Sequence, residues 1–234
     1  MNSTIVQNLP IDVNQFVNSV AKLDPISIGI AIVILVISVY VLVKIHVLRG
    51  IVLDPKVLHA CAQKGVGLPI DKAFEVVHEE LIKHYPQFIN AKRNWLLFNG
   101  GGAMGMMCCL HASLSEYLIF YGTPLYSQGH SGRYLMDVYD FMIQGTTKQF
   151  FPGNFKSIDF PAGKFSYLPM GVAKGYCCEP NSWMLEYGRG IIPLALPYFL
   201  FSSIFVTLDI IPWLKAVFYV GSQVTKNLLL RRKI

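Results

Sequence analysis

Asn181-Ser-Trp-Met-Leu-Glu-Tyr-Gly-Arg-Gly190 places one carboxylate, Glu186, inside an aromatic and aliphatic run, and an uncharged tract, Ile191 to Leu208, follows at once. A carboxylate in apolar surroundings is costly unless it has a partner or keeps its proton. Such a residue is retained for chemistry or for holding a cation. As a strand, Trp183 to Tyr187 puts Trp183, Leu185 and Tyr187 on one face and Met184 and Glu186 on the other. The preceding chain fits that strand. Between residues 122 and 190, Gly and Pro recur at short intervals around short aromatic and β-branched runs, the pattern of a barrel or sandwich.

Outward from this region the chain becomes more apolar than a soluble domain. Hydrophobic residues make up 53% of the 234 positions and charged residues 15%, an imbalance beyond the ordinary globular range. Ile26 to Val43 carries no charge; extended to Val47, it is long enough to cross a hydrocarbon core of roughly 30 Å as a helix. A secretory signal would be shorter and would begin sooner. Residues 1–24 read as a polar leader, 25–47 as a transmembrane helix, 48–190 as a helical lead-in followed by a β domain, and 191–234 as a helix pair. Pro193, Pro197, Asp209 and Pro212 break that last apolar region, and Lys215 and Lys226 lie beyond them. Helices lying along a membrane surface fit these interruptions better than a second span.

The net charge is +6, yet the basic residues form no stripe, and nucleic acid is not an expected partner. The one dense group, Arg231-Arg232-Lys233, suits anionic lipid headgroups. Lys44, His46 and Arg49 after the apolar helix favour a cytosolic C-terminal side. The cysteines, Cys61, Cys108, Cys109, Cys177 and Cys178, match no metal spacing or disulfide framework and read as small buried hydrophobes.

In the lead-in, Phe74, Val77, Leu81 and Tyr85 recur at helical spacing, so a helix is expected over Asp71 to Tyr85, capped by Asp71 and ended by Pro86. His78 and His84 are too far apart to share a helix face as metal ligands and read as solvated surface. Trp95 to Phe98 reads as a strand, and 107–121 as helical or mixed. Gly100 to Gly105 matches a dinucleotide-binding pattern, but the β-rich chain downstream cannot supply the rest of that unit, so a tight loop is expected. Gly129-His-Ser-Gly132 lacks the spacing of a nucleophile elbow.

Beyond residue 90 the acids are Glu116, Asp137, Asp140, Asp159, Glu179, Glu186 and Asp209. Asp159, Glu179 and Asp209 fall at turns or breaks. If Tyr134 to Gln144 is extended, Asp140 lies with Tyr134, Met136, Val138 and Met142, while Asp137 faces the other way with Tyr139 and Phe141. A closed sheet would aim Asp140 and Glu186 into one lumen. Two carboxyls close together in a dry pocket do not both ionise, and the pair then offers one proton and one anion. Alternatively each is ion-paired, with Arg133 and Arg189 as candidate partners.

His111-Ala-Ser-Leu-Ser-Glu-Tyr117, His130-Ser-Gly-Arg-Tyr134 and the Asn181–Gly190 motif closely resemble the family containing the fungal Δ8–Δ7 sterol isomerase and the sigma-type receptor. The similarity runs from about residue 70 to the C-terminus, and Tyr167 to Gly175 looks more like the isomerase branch, although Met170 stands where an arginine is expected. The resemblance implies a mixed, mainly β fold: a cupin-like β-barrel with one N-terminal transmembrane helix and two C-terminal membrane-associated helices. It also implies a homotrimer in the endoplasmic reticulum membrane, usually drawn with its barrel in the lumen, against the charge pattern here. In the receptor, the glutamate matching Glu186 pairs with a ligand ammonium, the aspartate matching Asp140 bonds to it, and the tyrosine matching Tyr117 supports it.

The expected function is therefore isomerisation of a sterol in ergosterol-type biosynthesis, shifting the B-ring double bond through a carbocation without redox cofactor or metal. Asp140 is assigned the proton and Glu186 the anion facing the cation, roles that can exchange. Tyr117, Tyr134 and Trp183 are expected to line the pocket, with Glu116, His111 and His130 as relay or scaffolding groups. Lipophilic amines are expected ligands because they imitate the cation. The alternatives are a non-catalytic sigma-like receptor for amines or steroids, and a plain lipid-binding barrel anchored to the membrane.

Overall fold

The computed structural model describes residues 24–229; positions 1–23 of the leader and the Arg231-Arg232-Lys233 cluster lie outside the described residues. Chain contacts divide the protein into two units at Val43/Lys44. Up to that point the described chain is helix α1, Pro25–Arg49, which continues beyond the division. Its Pro25–Leu42 stretch has a mean hydropathy of 2.7 and is long and apolar enough to cross a membrane.

The second unit is mainly β. Ten strands follow two helices: α2 (Pro55–Gln63), α3 (Ile70–His84), β1 (Trp95–Gly100), β2 (Ala103–Ala112), β3 (Glu116–Thr123), β4 (Ser127–His130), β5 (Met136–Gln144), β6 (Thr146–Phe150), β7 (Ile158–Pro161), β8 (Phe165–Leu168), β9 (Gly175–Cys178) and β10 (Ser182–Gly190). The larger sheet has the order β1-β2-β3-β10-β5-β8 and the smaller one β4-β9-β6-β7. All pairings are antiparallel. The sheets meet where β4 packs on β2 and β7 on β5, so together they enclose a cavity like a flattened barrel.

Period-two alternation decides what each face does. Leu118, Phe120, Phe141, Trp183, Leu185 and Tyr187 pack beneath α2 and α3, while Ile119, Tyr121, Met142 and Met184 turn inward toward the smaller sheet. The central strands are thus buried on both faces and read as nearly continuous apolar runs. This is why 107–121 looks helical or mixed in sequence but folds as parts of β2 and β3: a short apolar run has no distinguishing period. Gly100 to Gly105 forms no nucleotide loop. Gly101 and Gly102 have φ of +62° and +99° and join β1 to β2, whose register closes at Gly100↔Ala103. Both turn residues are left-handed, as the tightest hairpin connection requires.

Helix α3 buries Ala73, Phe74, Val77, His78 and Leu81, with Phe74 packed on Trp95, Phe120 and Trp183. Its start differs from the expectation. Pro69 occupies the cap position without a side-chain bond, and Asp71 falls within the first turn, where a carboxylate still favours the helix dipole. His78 is buried rather than solvated, and its ring bonds the Asn90 carbonyl at 2.6 Å. Helix α2 was not anticipated. Asp54 caps it through the Lys56 amide at 2.8 Å, and Pro55 takes the first helical position, which needs no N–H.

Glu116 is completely buried on the helix-facing side of β3. It accepts from the amides of Val52 (3.0 Å) and Leu53 (3.3 Å) and from the Tyr187 hydroxyl (2.7 Å), tying the chain ahead of α2 to the sheet. A register shift between Cys109 and His111 turns His111 to the same side, where its Nε2 lies 3.7 Å from Glu116 and its Nδ1 2.9 Å from the Phe88 carbonyl.

Beyond β10 the chain makes a 3-10 turn (Ile192–Ala195), a short helix α4 (Leu196–Phe201), a π-turn (Ser202–Thr207) and helix α5 (Ile210–Leu229), with Leu208 left-handed at φ +54° between them. Helix α5 packs on β1 and β2 and leaves Leu214, Phe218 and Leu229 exposed. All five cysteines are free, and Cys61, Cys108 and Cys178 are buried.

Glu116→Ala is expected to lower unfolding stability by about 3 kcal/mol, because it strands buried amide donors. Thermal melting of the detergent-solubilised protein checks this, and ligand binding at the opposite face of the sheet should survive.

Candidate functional site

Strands β3, β10 and β5 lie side by side, and their register aligns the inward residues. Glu186 stands opposite Ile119 on β3 and opposite Asp140 on β5. Directly opposed residues on one face hold their β-carbons about 5 Å apart. The two carboxyls therefore enter the same cavity, roughly 600 Å³ including its mouth, together with Tyr117, Tyr121, Tyr134 and Lys174.

Their partners separate them chemically. Asp140 is buried and forms an ion pair with Lys174 Nζ at 2.7 Å. Ser166, opposite Asp140 on β8, donates to the same carboxylate at 2.8 Å, and Gln149 Nε2 donates to Ser166 at 2.9 Å. Glu186 instead accepts from the Tyr117 hydroxyl at 2.6 Å, and the surface it retains opens on the cavities. Burial, and then the nearby Asp140 charge, raise its pKa to about 7, against smaller opposing effects from the Tyr117 bond and Lys174. Burial and the Glu186 charge hold the Tyr117 phenol well above its usual value; it is a donor that keeps its proton.

These partners distinguish two carboxyls whose roles the sequence leaves exchangeable. Asp140 is the ion-paired carboxylate, and Glu186 is the acid that gains and loses a proton near neutral pH. The alternative of a paired aspartate is realised, but through Lys174, which stands in the loop between β8 and β9. Arg189 is turned to the helix-facing side, with Asp137 (3.4 Å) and the Tyr139 hydroxyl (3.0 Å), and Arg133 bonds the Gly171 carbonyl.

Of the anticipated residues, Tyr117, Tyr134, Asp140 and Glu186 come together at this cavity. Glu116, His111 and Trp183 do not: they belong to the helix-facing side, the first two through the contacts above and Trp183 in the Phe74–Trp95 cluster. His130 is exposed on β4; its Nδ1 accepts from the Gly132 amide and its carbonyl from Tyr198. Lys174 and Ser166 were missed, because nothing local marks a loop lysine as the partner of a strand carboxylate. Among the described residues no cluster of three His, Cys, Asp or Glu could hold a metal ion.

Glu186 and Tyr117 also line a second, strongly apolar cavity of roughly 870 Å³ with its mouth, between β1–β2 and the C-terminal helices, where Leu97, Phe199, Trp213 and Val217 contribute. A polar chamber with one exchangeable proton thus adjoins an apolar one. The arrangement sets a carboxyl that can donate a proton or meet a positive charge between a polar and an apolar chamber.

The chain belongs to the family described as ERG2 and Sigma1 receptor like protein, whose pattern it matches over residues 30–232. It is 78% identical over 221 residues to the Protein erg2 homolog of Dictyostelium discoideum, covering 94% of this chain and 95% of that protein. It is 37% identical over 179 residues to the sigma non-opioid intracellular receptor 1 of Gallus gallus, covering 76% and 79%. Solved structures similar to it include an RmlC-like cupin from Shewanella frigidimarina (TM-score 0.37, 12% identity, 44% of this chain and 90% of that one) and KdgF from Halomonas sp. (TM-score 0.37, 15% identity, 44% and 93%).

Since Glu186 has a pKa near 7 in the fold against 4.5 ordinarily, the native protein binds more protons than the unfolded chain between those values, and stability falls as pH rises through that window. Wild type should lose on the order of 3 kcal/mol there relative to Glu186→Gln. Paired melting curves from pH 4.5 to 8 measure the difference; parallel curves would contradict the assignment.

Proposed function

We propose that this protein is a Δ8–Δ7 sterol isomerase, and the observation that carries the proposal is Glu186. It is an enclosed carboxyl poised to exchange its proton near pH 7, facing a second carboxylate across one rung of the sheet. In the resting cavity Asp140 and Lys174 form an ion pair, and the reaction starts from the protonated form of Glu186. The Glu186 proton adds to C9, the C8=C9 π electrons form the new C9–H bond, and a tertiary cation develops at C8. Glu186 becomes a carboxylate at that moment, and with Asp140 it places fixed negative charge beside the cation, in a cavity that a bound sterol would close to water. The C7–H electrons then form C7=C8, and the released proton returns to the carboxylate pair. Glu186 ends the cycle protonated, as it began. Tyr117 stays bonded to Glu186 and holds its orientation, and aromatic rings around the cavity add cation–π stabilisation.

The membrane context supports a sterol. Helix α1 serves as a single span in this reading, set in the endoplasmic reticulum membrane. The exposed apolar residues of the C-terminal segment (Phe205, Leu208, Ile211 and Phe218 among them) rest on the lipid surface. A homotrimer is the assembly implied by the family. The erg2 homolog at 78% identity supports the enzymatic reading.

A second reading has its own support. The sigma receptor of Gallus gallus at 37% identity favours a non-catalytic receptor that binds lipophilic amines at the same carboxyl. The two readings part on turnover. Under the enzymatic one, Glu186→Gln lowers conversion of a Δ8 to a Δ7 sterol by about 10³-fold or more while the protein remains folded; reconstituted protein and mass spectrometry of the sterols measure this. Retained turnover in the variant excludes Glu186 as the acid, and no turnover in the wild type leaves the receptor reading. In both cases a permanently charged lipophilic ammonium should bind about tenfold more weakly per pH unit below 7 and level off above it, because only ionised Glu186 meets the cation.

A further inference from the structure

Two buried side-chain polar atoms among the described residues have no hydrogen-bond partner: Gln223 Oε1 on α5 and the Tyr121 hydroxyl. The second belongs to the cavity that holds Glu186. Leaving a hydroxyl buried and unbonded costs about 1–3 kcal/mol, and phenylalanine would fill the same space without that cost. The tyrosine ring is also fixed in place. It packs edge-to-face on Phe98, with ring centres 5.9 Å apart. On its other side lies Gly105, where an added Cβ would come within 3.0 Å of the ring. The Tyr176 hydroxyl is its one hydrogen-bonding neighbour, a weak one, since Tyr176 itself donates to the Gly100 carbonyl at 3.2 Å. A fixed, enclosed hydroxyl whose one polar neighbour is the Tyr176 hydroxyl has bonding capacity left for a polar group on whatever fills the cavity.

Register places the strand position that carries this hydroxyl relative to that of Glu186. Along β10, Met184 stands opposite Tyr121 and Glu186 opposite Ile119. Tyr121 therefore lies two residues from the rung of Glu186 on the same face, about 7 Å along the strand, roughly the width of two fused six-membered rings. The opposite side of Glu186 opens on the apolar chamber beneath α4 and α5. We propose that Tyr121 is the anchor for the C3 hydroxyl of the sterol, a proposal that rests on the isomerase reading. The A ring then lies in the polar chamber, the B ring meets Glu186, and the hydrocarbon tail occupies the apolar chamber. Reversal of the molecule would put the hydroxyl among Leu97, Trp213 and Val217 and is disfavoured by desolvation. Tyr121 is in this way a specificity residue for a 3-hydroxylated fused ring and takes no part in the proton transfers.

The test compares a Δ8 sterol with its 3-deoxy and 3-methoxy analogues on wild type and Tyr121→Phe. Both isomerisation and displacement of a bound lipophilic amine are measured. Wild type should prefer the free hydroxyl by about tenfold in kcat/KM and in displacement. Tyr121→Phe should bind the sterol and the 3-deoxy analogue within about twofold of each other, through KM with kcat little changed, and should melt no lower than wild type. A variant that keeps the wild-type preference overturns the anchor, as does a wild type indifferent to the hydroxyl. Should wild type isomerise nothing, the enzymatic reading fails, yet displacement by the three neutral steroids still decides the anchor. Should the variant not fold, the wild-type comparison of the three sterols decides it.

Discussion

Two carboxyls face one another across a β ladder with a single ammonium to share between them, and the rest of the site follows from that inequality. Lys174 reaches Asp140 at 2.7 Å and makes an ion pair of it. Glu186 is left with a phenol for a partner, in surroundings where a second bare charge would be expensive. It answers by holding its proton up to about pH 7. A carboxyl of that kind can act as an acid in neutral water and become an anion once it has acted. The fold contributes by enclosing the pair between two sheets and by fixing its register; a slip of one residue would send Glu186 to the helix-facing side with Tyr187.

The opposite face of the same sheet shows how another buried acid is used for structure. Glu116 adjoins Tyr117 in sequence but points the other way, and backbone amides of Val52 and Leu53 complete it. Acids on neighbouring strands thus sit in different settings. Their surroundings separate them: Glu116 is wholly buried among fixed donors, whereas Glu186 keeps part of its surface open to its cavities.

Much of this was legible in the chain. Alternation alone places Glu186 with Met184, and Asp140 with Val138 and Met142, on inward faces, and those residues do face the cavity and its walls. The apolar helix after Asp24 and the amphipathic helix around Phe74 follow from period and length. What failed has physical causes. The β2–β3 hairpin is buried on both sides, so its sequence has no alternation to read. A bulge at His111 reverses its face, and no local residue announces it. The Asp54-Pro55 pair did carry a usable signal for α2, a capping side chain followed by proline. Lys174 was out of reach, because its partner lies across the cavity and only the closed fold brings the two together.

Under the proposed function, a carboxyl that holds its proton up to about pH 7 suits both a neutral sterol and an ammonium. A neutral molecule takes the proton from Glu186, while a cation displaces it. The decisive quantity is therefore the ionisation of this one side chain, followed directly by infrared difference spectroscopy or carbon NMR of labelled glutamate. The account predicts a carboxyl signal titrating near pH 7 in wild type and missing from Glu186→Gln. A wild-type Glu186 that titrates with the ordinary surface acids, near pH 4 to 5, would contradict it.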